Sequence, residues 1–152
     1  MREDEKTQQF WTQPWVPGRR YGDTRPVFVL VFTTKFSAAE EFTYNLQRLN
    51  RATIVGEPTR GSAHPGESRW ITPHCSLFVP GGRAIDPITQ SNWEDGGVEP
   101  DVRVSSDDAL RTAQLLALER IGAQRQKPER KTEIDDRVRV LQEDAQHLTG
   151  RY

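Results

Sequence analysis

The sequence has a single cysteine among 152 residues, so no disulfide can form within the chain. A metal site built from several thiolates is excluded for the same reason. Only 34% of the residues are hydrophobic, the mean hydropathy is -0.77, and no apolar run approaches the roughly 20 residues that a membrane-spanning helix needs. Residues 1–6 are too polar for a secretory signal peptide. We therefore expect neither a disulfide-stapled scaffold nor a helical membrane protein.

Neither sign of charge dominates the chain. With 21 basic and 22 acidic residues, the formal net charge is -1 at pH 7. This balance gives no electrostatic reason to expect binding to nucleic acid or to an anionic membrane. The length is typical of one domain with a modest core.

Composition predicts how the chain is divided. Residues 1–25 contain aromatic side chains among Gln, Pro and Gly without any period, which predicts an extended, packed connector. Residues 26–122 carry most of the apolar segments and are predicted to be the folded domain. Residues 123–131 are polar and charged, as is typical of a linker.

Residues 132–152 predict an amphipathic, charged helix. Its apolar positions recur at spacings of four, three, four and three: Ile134, Val138, Leu141, Ala145 and Leu148. Such a stripe can pair with a helix of a second copy, which would give a homo-oligomer. A surface helix that covers its own domain is the commoner explanation of such a stripe.

The stretch from Pro26 to Leu49 joins an apolar run to a helical pattern. Residues 27–32 show no polar alternation, which predicts a strand that is buried on both faces. Apolar residues then recur at helical spacing: Ala39, Phe42, Leu46 and Leu49. The period changes at Ser37, so this serine is predicted to lie at the start of a helix, near its N–H groups and its positive end.

The local sequence leaves two interpretations of Ser37 open. With Glu40 three residues later, Ser37 matches a capping box, in which the serine only satisfies N–H groups of the helix. Alternatively, acyl-transfer nucleophiles on α/β scaffolds lie at this kind of strand-to-helix junction. The flanking residues lack the glycines of a Gly-x-Ser-x-Gly elbow.

The region after this helix predicts further α/β structure. Asn50 is a plausible helix end, and residues 52–56 predict a second strand, hence a parallel βαβ unit. The loop 56–66 leaves the carboxyl end of that strand, where sites form in open α/β sheets. Residues 69–72 and 75–79 predict an antiparallel hairpin.

A short strand and a second helix complete the predicted domain. Residues 102–104 predict the strand. Ser105, with Asp108 three residues later, predicts the start of a helix that ends at Gly122. The apolar positions expected on this helix are Leu110, Ala113, Ala117 and Ile121.

Three residues with possible chemistry are expected at related ends of the sheet, namely Ser37, His64 and Glu94. A hydroxyl needs a base to become a nucleophile, and the imidazolium so formed is stabilised by a carboxylate. Taken singly, a residue such as His64 is more often a solvated loop histidine, and one such as Glu94 is most often a solvated carboxylate. The pattern calls for no cofactor and no metal.

Four segments together resemble the tail-specific, or C-terminal processing, serine peptidases, a family that includes the tricorn-type proteases and the interphotoreceptor retinoid-binding proteins. They are residues 26–30 (Pro-Val-Phe-Val-Leu), 36–42 (Phe-Ser-Ala-Ala-Glu-Glu-Phe), 51–57 (Arg-Ala-Thr-Ile-Val-Gly-Glu) and 97–101 (Gly-Val-Glu-Pro-Asp). The resemblance covers residues 7 to about 113. It implies the α/β catalytic domain shared with crotonases and Clp proteases, of which this chain is similar to the carboxyl-terminal half.

The resemblance also implies roles for individual residues. Ser37 matches the family's nucleophile and the N–H of Ala38 one oxyanion-hole donor, which implies hydrolysis of peptide bonds through an acyl-enzyme. Glu94, three residues before Gly97, matches the tricorn-type glutamate. His64 resembles the retinoid-binding-protein branch and is our candidate for the base. The implied partner is a peptide or protein substrate.

The chain departs from the family at two points. In the bacterial processing enzymes a lysine base follows the glycine matched by Gly61, but Ser62 stands at that position here, so a serine–lysine dyad is not expected. The tricorn-type histidine and the loop with the second oxyanion donor come from a region upstream of the matched residues. The base is therefore either His64 or a residue of that region, and we expect this chain alone to be a poor peptidase.

A non-catalytic binding module of the same fold is the alternative function. It would hold a retinoid-like or fatty-acid-like ligand in an apolar cleft lined by Trp11, Trp15 and Trp70. A fluorophosphonate probe discriminates between the two functions, because only an activated serine is labelled.

Overall fold

The computed structural model describes residues 7–9, 11, 13–22, 24–124 and 127–149, and the side chains of the last helix as far as residue 144. Within these residues the chain forms five strands and three helices. In chain order they are β1 (Phe28–Val31), α1 (Ala38–Arg48), β2 (Thr53–Gly56), β3 (Gly66–Thr72), β4 (Cys75–Pro80), β5 (Val102–Arg103), α2 (Ser106–Gly122) and α3 (Pro128–Thr149). The predicted α/β class is confirmed.

The central feature is a parallel sheet with the strand order β1-β2-β5. β1 pairs with β2 over residues 28–31 and 53–56, so the predicted βαβ unit is present. Ile54 and Val55 are fully buried, as expected for the middle strand. β1 pairs on one side only in this sheet and is half-buried except at Val31. The expectation that this strand is buried along its whole length was therefore too strong.

Helix α2 packs on the sheet through its small side chains. Ala109 and Ala113, four residues apart and so on one face, form a buried cluster with Val55. Leu110, expected on the buried face, is exposed because it lies beside that face and not on it. The packing of two alanines holds α2 close to β1 and β2.

Helix α1 buries a different face from the one that its apolar residues predict. Phe42 and Leu49 are 58% and 74% exposed, whereas Glu40 and Thr43 are buried. Glu40 turns inward because N–H and O–H donors from a neighbouring loop surround its carboxylate. The hydrogen-bonding partners of one carboxylate therefore override the apolar stripe in orienting this helix.

The end of α1 is a Schellman motif, which explains why the helix stops there. Asn50 is in the left-handed region, with a φ of 50°. Its N–H donates to the carbonyl of Gln47, and the N–H of Arg51 donates to the carbonyl of Leu46. The predicted role of Asn50 in ending the helix is confirmed.

Helix α3 packs against α2 of the same chain. Two positions of its predicted apolar stripe, Ile134 and Leu141, are buried. The side chains of Ala145 and Leu148 lie outside the described residues. The helix begins at Pro128, inside the segment predicted as a linker, because proline is favoured in the first helical turn.

The hairpin β3–β4 is antiparallel, as predicted, and projects its side chains into solvent. Its large apolar residues are mostly exposed on both faces: Trp70, Ile71, Leu77 and Phe78. The two strands contact each other far more than they contact the rest of the chain. The hairpin is therefore held chiefly by its own pairing.

The described residues before position 26 form neither helix nor strand. Trp11, Trp15 and Tyr21 are largely exposed, so this segment is less packed than expected, while Phe10 lies outside the described residues. Arg51 donates hydrogen bonds to carbonyls of the segment, which fasten its end to the start of β2.

Candidate active site

Ser37 lies between β1 and α1, at the N-cap of the helix, as predicted. Its backbone has a φ of 58° and a ψ of -127°. This conformation is sterically costly for any residue with a Cβ, and such strain is often concentrated at functional sites. The side chain is exposed. Strained strand-to-helix turns are one way in which α/β enzymes present a nucleophilic hydroxyl to substrate.

The start of α1 favours negative charge next to Ser37. The first backbone N–H groups of a helix have no acceptor within the helix, and its dipole adds a positive potential there. Ala38 is the first residue of α1. The N–H of Ala38 therefore lies where an anionic oxygen beside the Ser37 hydroxyl would be stabilised.

Glu40 connects the Ser37 turn to the loop after β2. Its carboxylate is 0% exposed. Oε2 accepts hydrogen bonds from the N–H groups of Ser37 at 2.8 Å and Ser62 at 2.9 Å. Oε1 accepts from the Thr59 hydroxyl at 2.5 Å and from the N–H of Gly61 at 2.6 Å. Four donors offset the cost of burying the carboxylate.

His64 and Glu94, separated by 30 positions, are brought together. His64 Nδ1 lies 3.6 Å from Glu94 Oε1, which is too long for a hydrogen bond but close enough for an ion pair when the imidazole is protonated. Glu94 Oε2 accepts from the N–H of Ala63, and the N–H of Glu94 donates to Asn92 Oδ1 at 2.9 Å. The carboxylate is thus held in place beside the imidazole.

Ser37 lies next to the loop that carries His64, although no hydrogen bond joins Ser37 to His64 or Glu94 among the described residues. The N–H groups of Ser37 and Ser62 share Glu40 Oε2, so their nitrogens are within about 6 Å of each other. Ser62 precedes His64 by two residues. The three residues singled out from the sequence therefore lie on adjoining segments.

Thr59 was not identified as part of the site from the sequence. Besides donating to Glu40, its hydroxyl accepts from the N–H of Val98 at 2.7 Å, and its own N–H donates to the carbonyl of Val98. Gly97, with a φ of 70°, lies directly against the carbonyl of Thr59, where a Cβ would clash. The only signal for Thr59 in the sequence was its place in a Gly- and Pro-rich loop.

Trp93 is a second contributor that sequence reasoning missed. It is buried with Ala63 and Val98, and its ring centroid lies 5.1 Å from that of Tyr44. Its Nε1–H donates to the carbonyl of Ser62 at 3.2 Å. The residue beside Glu94 therefore fixes the backbone that leads to His64.

Asp86 anchors the loop after the hairpin to α1. It is buried and accepts hydrogen bonds from Arg48 Nε at 2.7 Å and the Tyr44 hydroxyl at 3.1 Å. The N–H of Ile88, at 2.7 Å, and then Arg48 hold the pKa of Asp86 well below its usual range. The N–H of Thr89 adds to this effect. This loop leads directly into the segment that carries Glu94.

The part of the chain that the structure describes contains no group of three or more His, Cys, Asp or Glu side chains that could hold a metal ion. Nor is any of its helices long and apolar enough to cross a membrane.

The family to which these features belong is shown by comparison with known proteins. The family model "Peptidase family S41" matches residues 1–104. Among solved structures, mature CPAF is similar with 26% identity and a TM-score of 0.49 over 55% of this chain. The photosystem II D1 C-terminal processing protease is similar with 27% identity and a TM-score of 0.46 over 54%. The chain covers only 17% and 21% of those two proteins. Because the family model matches well over half of the chain, the chain belongs to peptidase family S41.

Proposed function

We propose that this chain supplies the nucleophile of a serine-type peptidase, which hydrolyses peptide bonds through an acyl-enzyme on Ser37. Membership of family S41 supports a peptidase in general. The observation that carries the choice of residue is the strained, exposed backbone of Ser37 at the start of α1. A serine that only caps a helix does not need this conformation, since Ser105 caps α2 with a φ of -62°.

The proposed chemistry uses four groups. The Ser37 hydroxyl attacks the scissile carbonyl carbon while His64 accepts its proton, and the N–H of Ala38 stabilises the oxyanion. His64 then protonates the leaving amine, which leaves the acyl ester on Ser37. Water hydrolyses the ester, again with His64 as the base. Glu94 orients the imidazole through Nδ1 and stabilises the imidazolium.

We place the chain with the tricorn-type and retinoid-binding-protein branch of the family. Ser62 stands where a lysine base would follow Gly61, so the bacterial dyad cannot form. The contact between His64 and Glu94 supplies an alternative base with its carboxylate. The proposed substrate is a peptide or protein.

Among the residues that the structure describes, no contact favours the binding-module function. Trp11, Trp15 and Trp70 are 80%, 70% and 74% exposed, so none of them lies inside an enclosed cleft. The depression beside Trp70 has a volume of about 320 Å³ and is lined only by residues 70–73 of the hairpin. Of the stripe on α3 that suggested a homo-oligomer, Ile134 and Leu141 are buried, and α3 packs on α2 of the same chain.

Labelling with a fluorophosphonate probe tests the proposal. The matched variants are Ser37→Ala and Ser105→Ala, which remove the two N-cap hydroxyls of the long helices that flank the sheet. We expect one label, located at Ser37 by mass spectrometry. Ser37→Ala should lower the labelling rate by about a hundredfold or more, while Ser105→Ala leaves it unchanged. Absence of labelling above a heat-denatured control, or labelling that persists in Ser37→Ala, would contradict the proposal.

A further inference from the structure

We propose that Thr59 and Glu40 form a positioning relay that holds the Ser37 turn in its strained conformation and fixes it relative to the segment that carries Glu94. The inference rests on the proposed function, because the position of Ser37 matters for hydrolysis only if Ser37 is the nucleophile. Neither residue is proposed to touch substrate. Both act through the backbone of other residues.

The first step of the argument is that both oxygens of Glu40 are fully used. Oε2 is held by the N–H groups of Ser37 and Ser62, and Oε1 by the Thr59 hydroxyl and the N–H of Gly61. Donors on both oxygens prevent the buried carboxylate from rotating. Its position is therefore fixed by a loop 19 to 22 residues away in sequence and not by α1 alone.

The second step concerns the strain at Ser37. With α1 and the Glu40 carboxylate held in place, relaxation of Ser37 from a φ of 58° to the -62° of Ser105 would rotate its N–H about the N–Cα bond and away from Oε2. A buried carboxylate oxygen would then lose a charge-assisted hydrogen bond, which is more costly in a water-excluded site than at the surface. The fixed carboxylate thus opposes the relaxation. The loop also runs beside the turn, since the N–H of Arg60 donates to the carbonyl of Lys35 at 3.0 Å.

The third step connects this carboxylate to the Glu94 segment. The Thr59 hydroxyl donates to Glu40 and at the same time accepts from the N–H of Val98. Thr59 is 6% exposed and Val98 is buried, so water cannot replace either bond without rearrangement. The N–H of Gly97 donates to the carbonyl of Trp93, which places this contact at the base of the Glu94 turn. One hydroxyl therefore joins the nucleophile turn to the turn of the orienting acid.

The pair Thr59→Val and Thr59→Ser tests the relay. Valine keeps the shape of threonine and removes the hydroxyl, whereas serine keeps the hydroxyl. The first readout is hydrogen exchange of the Ser37, Gly61 and Ser62 amides, which requires no activity. We expect exchange about tenfold faster in Thr59→Val and close to wild type in Thr59→Ser. The amides of Ile54 and Val55 in β2 should be unchanged in both variants and serve as the control for folding.

The second readout is the fluorophosphonate reaction, separated into its maximal rate and the probe concentration at half-maximal rate. A misplaced nucleophile lowers the maximal rate, so we expect a loss of about tenfold or more in Thr59→Val, little change in the half-maximal concentration, and recovery in Thr59→Ser. If Thr59→Val unfolds, Glu40→Gln is the second variant, since its amide keeps one acceptor oxygen and replaces the other with an NH2 donor. The same selective exchange is expected there.

The outcomes separate this inference from the proposed function. Unchanged exchange at Ser37 in a folded Thr59→Val variant overturns the relay. Faster exchange with an unaltered labelling rate also overturns it, because the contact is then only structural. A wild-type chain that is not labelled overturns the proposed function, and the exchange of the Ser37 amide still decides whether the relay holds the turn.

Discussion

Two serines in this molecule occupy the same kind of position and differ in almost everything else. Ser37 and Ser105 are the N-caps of α1 and α2, and each is followed three residues later by an acid. Ser105 has an ordinary extended backbone, and its hydroxyl accepts from the N–H of Asp108 and donates to Asp108 Oδ2 at 2.8 Å. Ser37 has a φ of 58°, and its acid is buried and bound by another segment.

The difference lies in where the acid points. Asp108 bonds back to the cap of its own helix and to Arg111, one turn along, so the α2 motif is complete within one helical turn. Glu40 accepts one hydrogen bond from the Ser37 N–H but accepts its others from the loop after β2. The same sequence pattern therefore only caps the helix at Ser105, whereas at Ser37 its acid also links the cap to another segment.

The largest expected effect comes from replacing each serine by aspartate. Aspartate is as good an N-cap as serine but cannot form an acyl-enzyme. We expect Ser37→Asp to lower probe labelling, and the weak peptide hydrolysis expected of this chain, by about a hundredfold or more. Ser105→Asp should leave both activities unchanged. If Ser37→Asp keeps appreciable activity, Ser37 is only a cap, and the structural difference between the two serines is unrelated to catalysis.

The next largest effect is expected at Glu94. Glu94→Gln keeps an acceptor for the N–H of Ala63 but removes the charge beside His64 Nδ1. Turnover and labelling should fall by about a hundredfold or more, because the carboxylate controls the imidazole tautomer and stabilises the imidazolium. The thermal midpoint should change little. Activity assays beside thermal unfolding measure both quantities.

Glu99 supplies the control for that substitution. Glu99 lies five residues after Glu94 in the chain. It is exposed, and its carboxylate pairs with Arg103. Glu99→Gln removes the same charge and should alter neither activity nor melting appreciably. A Glu94→Gln variant that loses stability but keeps full activity in its folded fraction would show that Glu94 is structural.

The sequence predicted the elements of this fold well because their signals are local. The apolar run at β1, the change of period at Ser37 and the turn residues around the hairpin all reflect neighbours in the chain. The Schellman end at Asn50 is equally local. These features were found at the predicted positions, with boundaries that differ by one or two residues in most cases.

The rest could not be predicted because it depends on contacts between distant segments. The apolar spacing of α1 predicted that Phe42 would be buried, but the donors at residues 59–62 draw Glu40 inward instead. One of these donors is the Thr59 hydroxyl, and nothing in the sequence indicates that Thr59 would contact Glu40. The backbone angles of Ser37, which carry the proposed function, are likewise a tertiary property.

A third acid, Asp86, is expected to make the stability of the fold depend on pH. Asp86, like Glu40, is buried, and hydrogen bonds from Ile88 and Arg48 lower its pKa. A lowered folded pKa contributes stability above the unfolded pKa of about 3.9, and that stability is lost as the pH falls through the lower folded value. Asp86→Asn should therefore melt several degrees below wild type at pH 7, and the gap should narrow below about pH 4.

Thermal unfolding of both proteins between pH 7 and pH 2.5 measures this gap. Asp107→Asn, at an exposed acid in the first turn of α2, is the control and should show only a small effect at any pH. If the melting temperatures of wild type and Asp86→Asn differ by the same amount at every pH, the ionisation of Asp86 does not contribute to stability.

Replacing each serine by glycine has the smallest expected effect but is the sharpest test of strain. The free energy of unfolding is expected to change in opposite directions at the two serines. Glycine adopts positive φ without steric cost, and strain of this kind costs on the order of 1–3 kcal/mol. The greater freedom of glycine in the unfolded chain offsets roughly 0.5–1 kcal/mol of that relief. We therefore expect Ser37→Gly to raise the free energy of unfolding by about 1 kcal/mol.

At Ser105 the backbone is already relaxed, so glycine relieves nothing and removes a hydroxyl that accepts from the N–H of Asp108. Glycine is nevertheless a tolerable N-cap, and Ser105→Gly should lower the free energy of unfolding by only a few tenths of a kcal/mol, or about 0.3 kcal/mol. Denaturant titrations of both variants beside wild type resolve the two signs. Equal losses at both positions would mean that Ser37 is no more strained than an ordinary cap, and the backbone argument for its chemistry would fail with it.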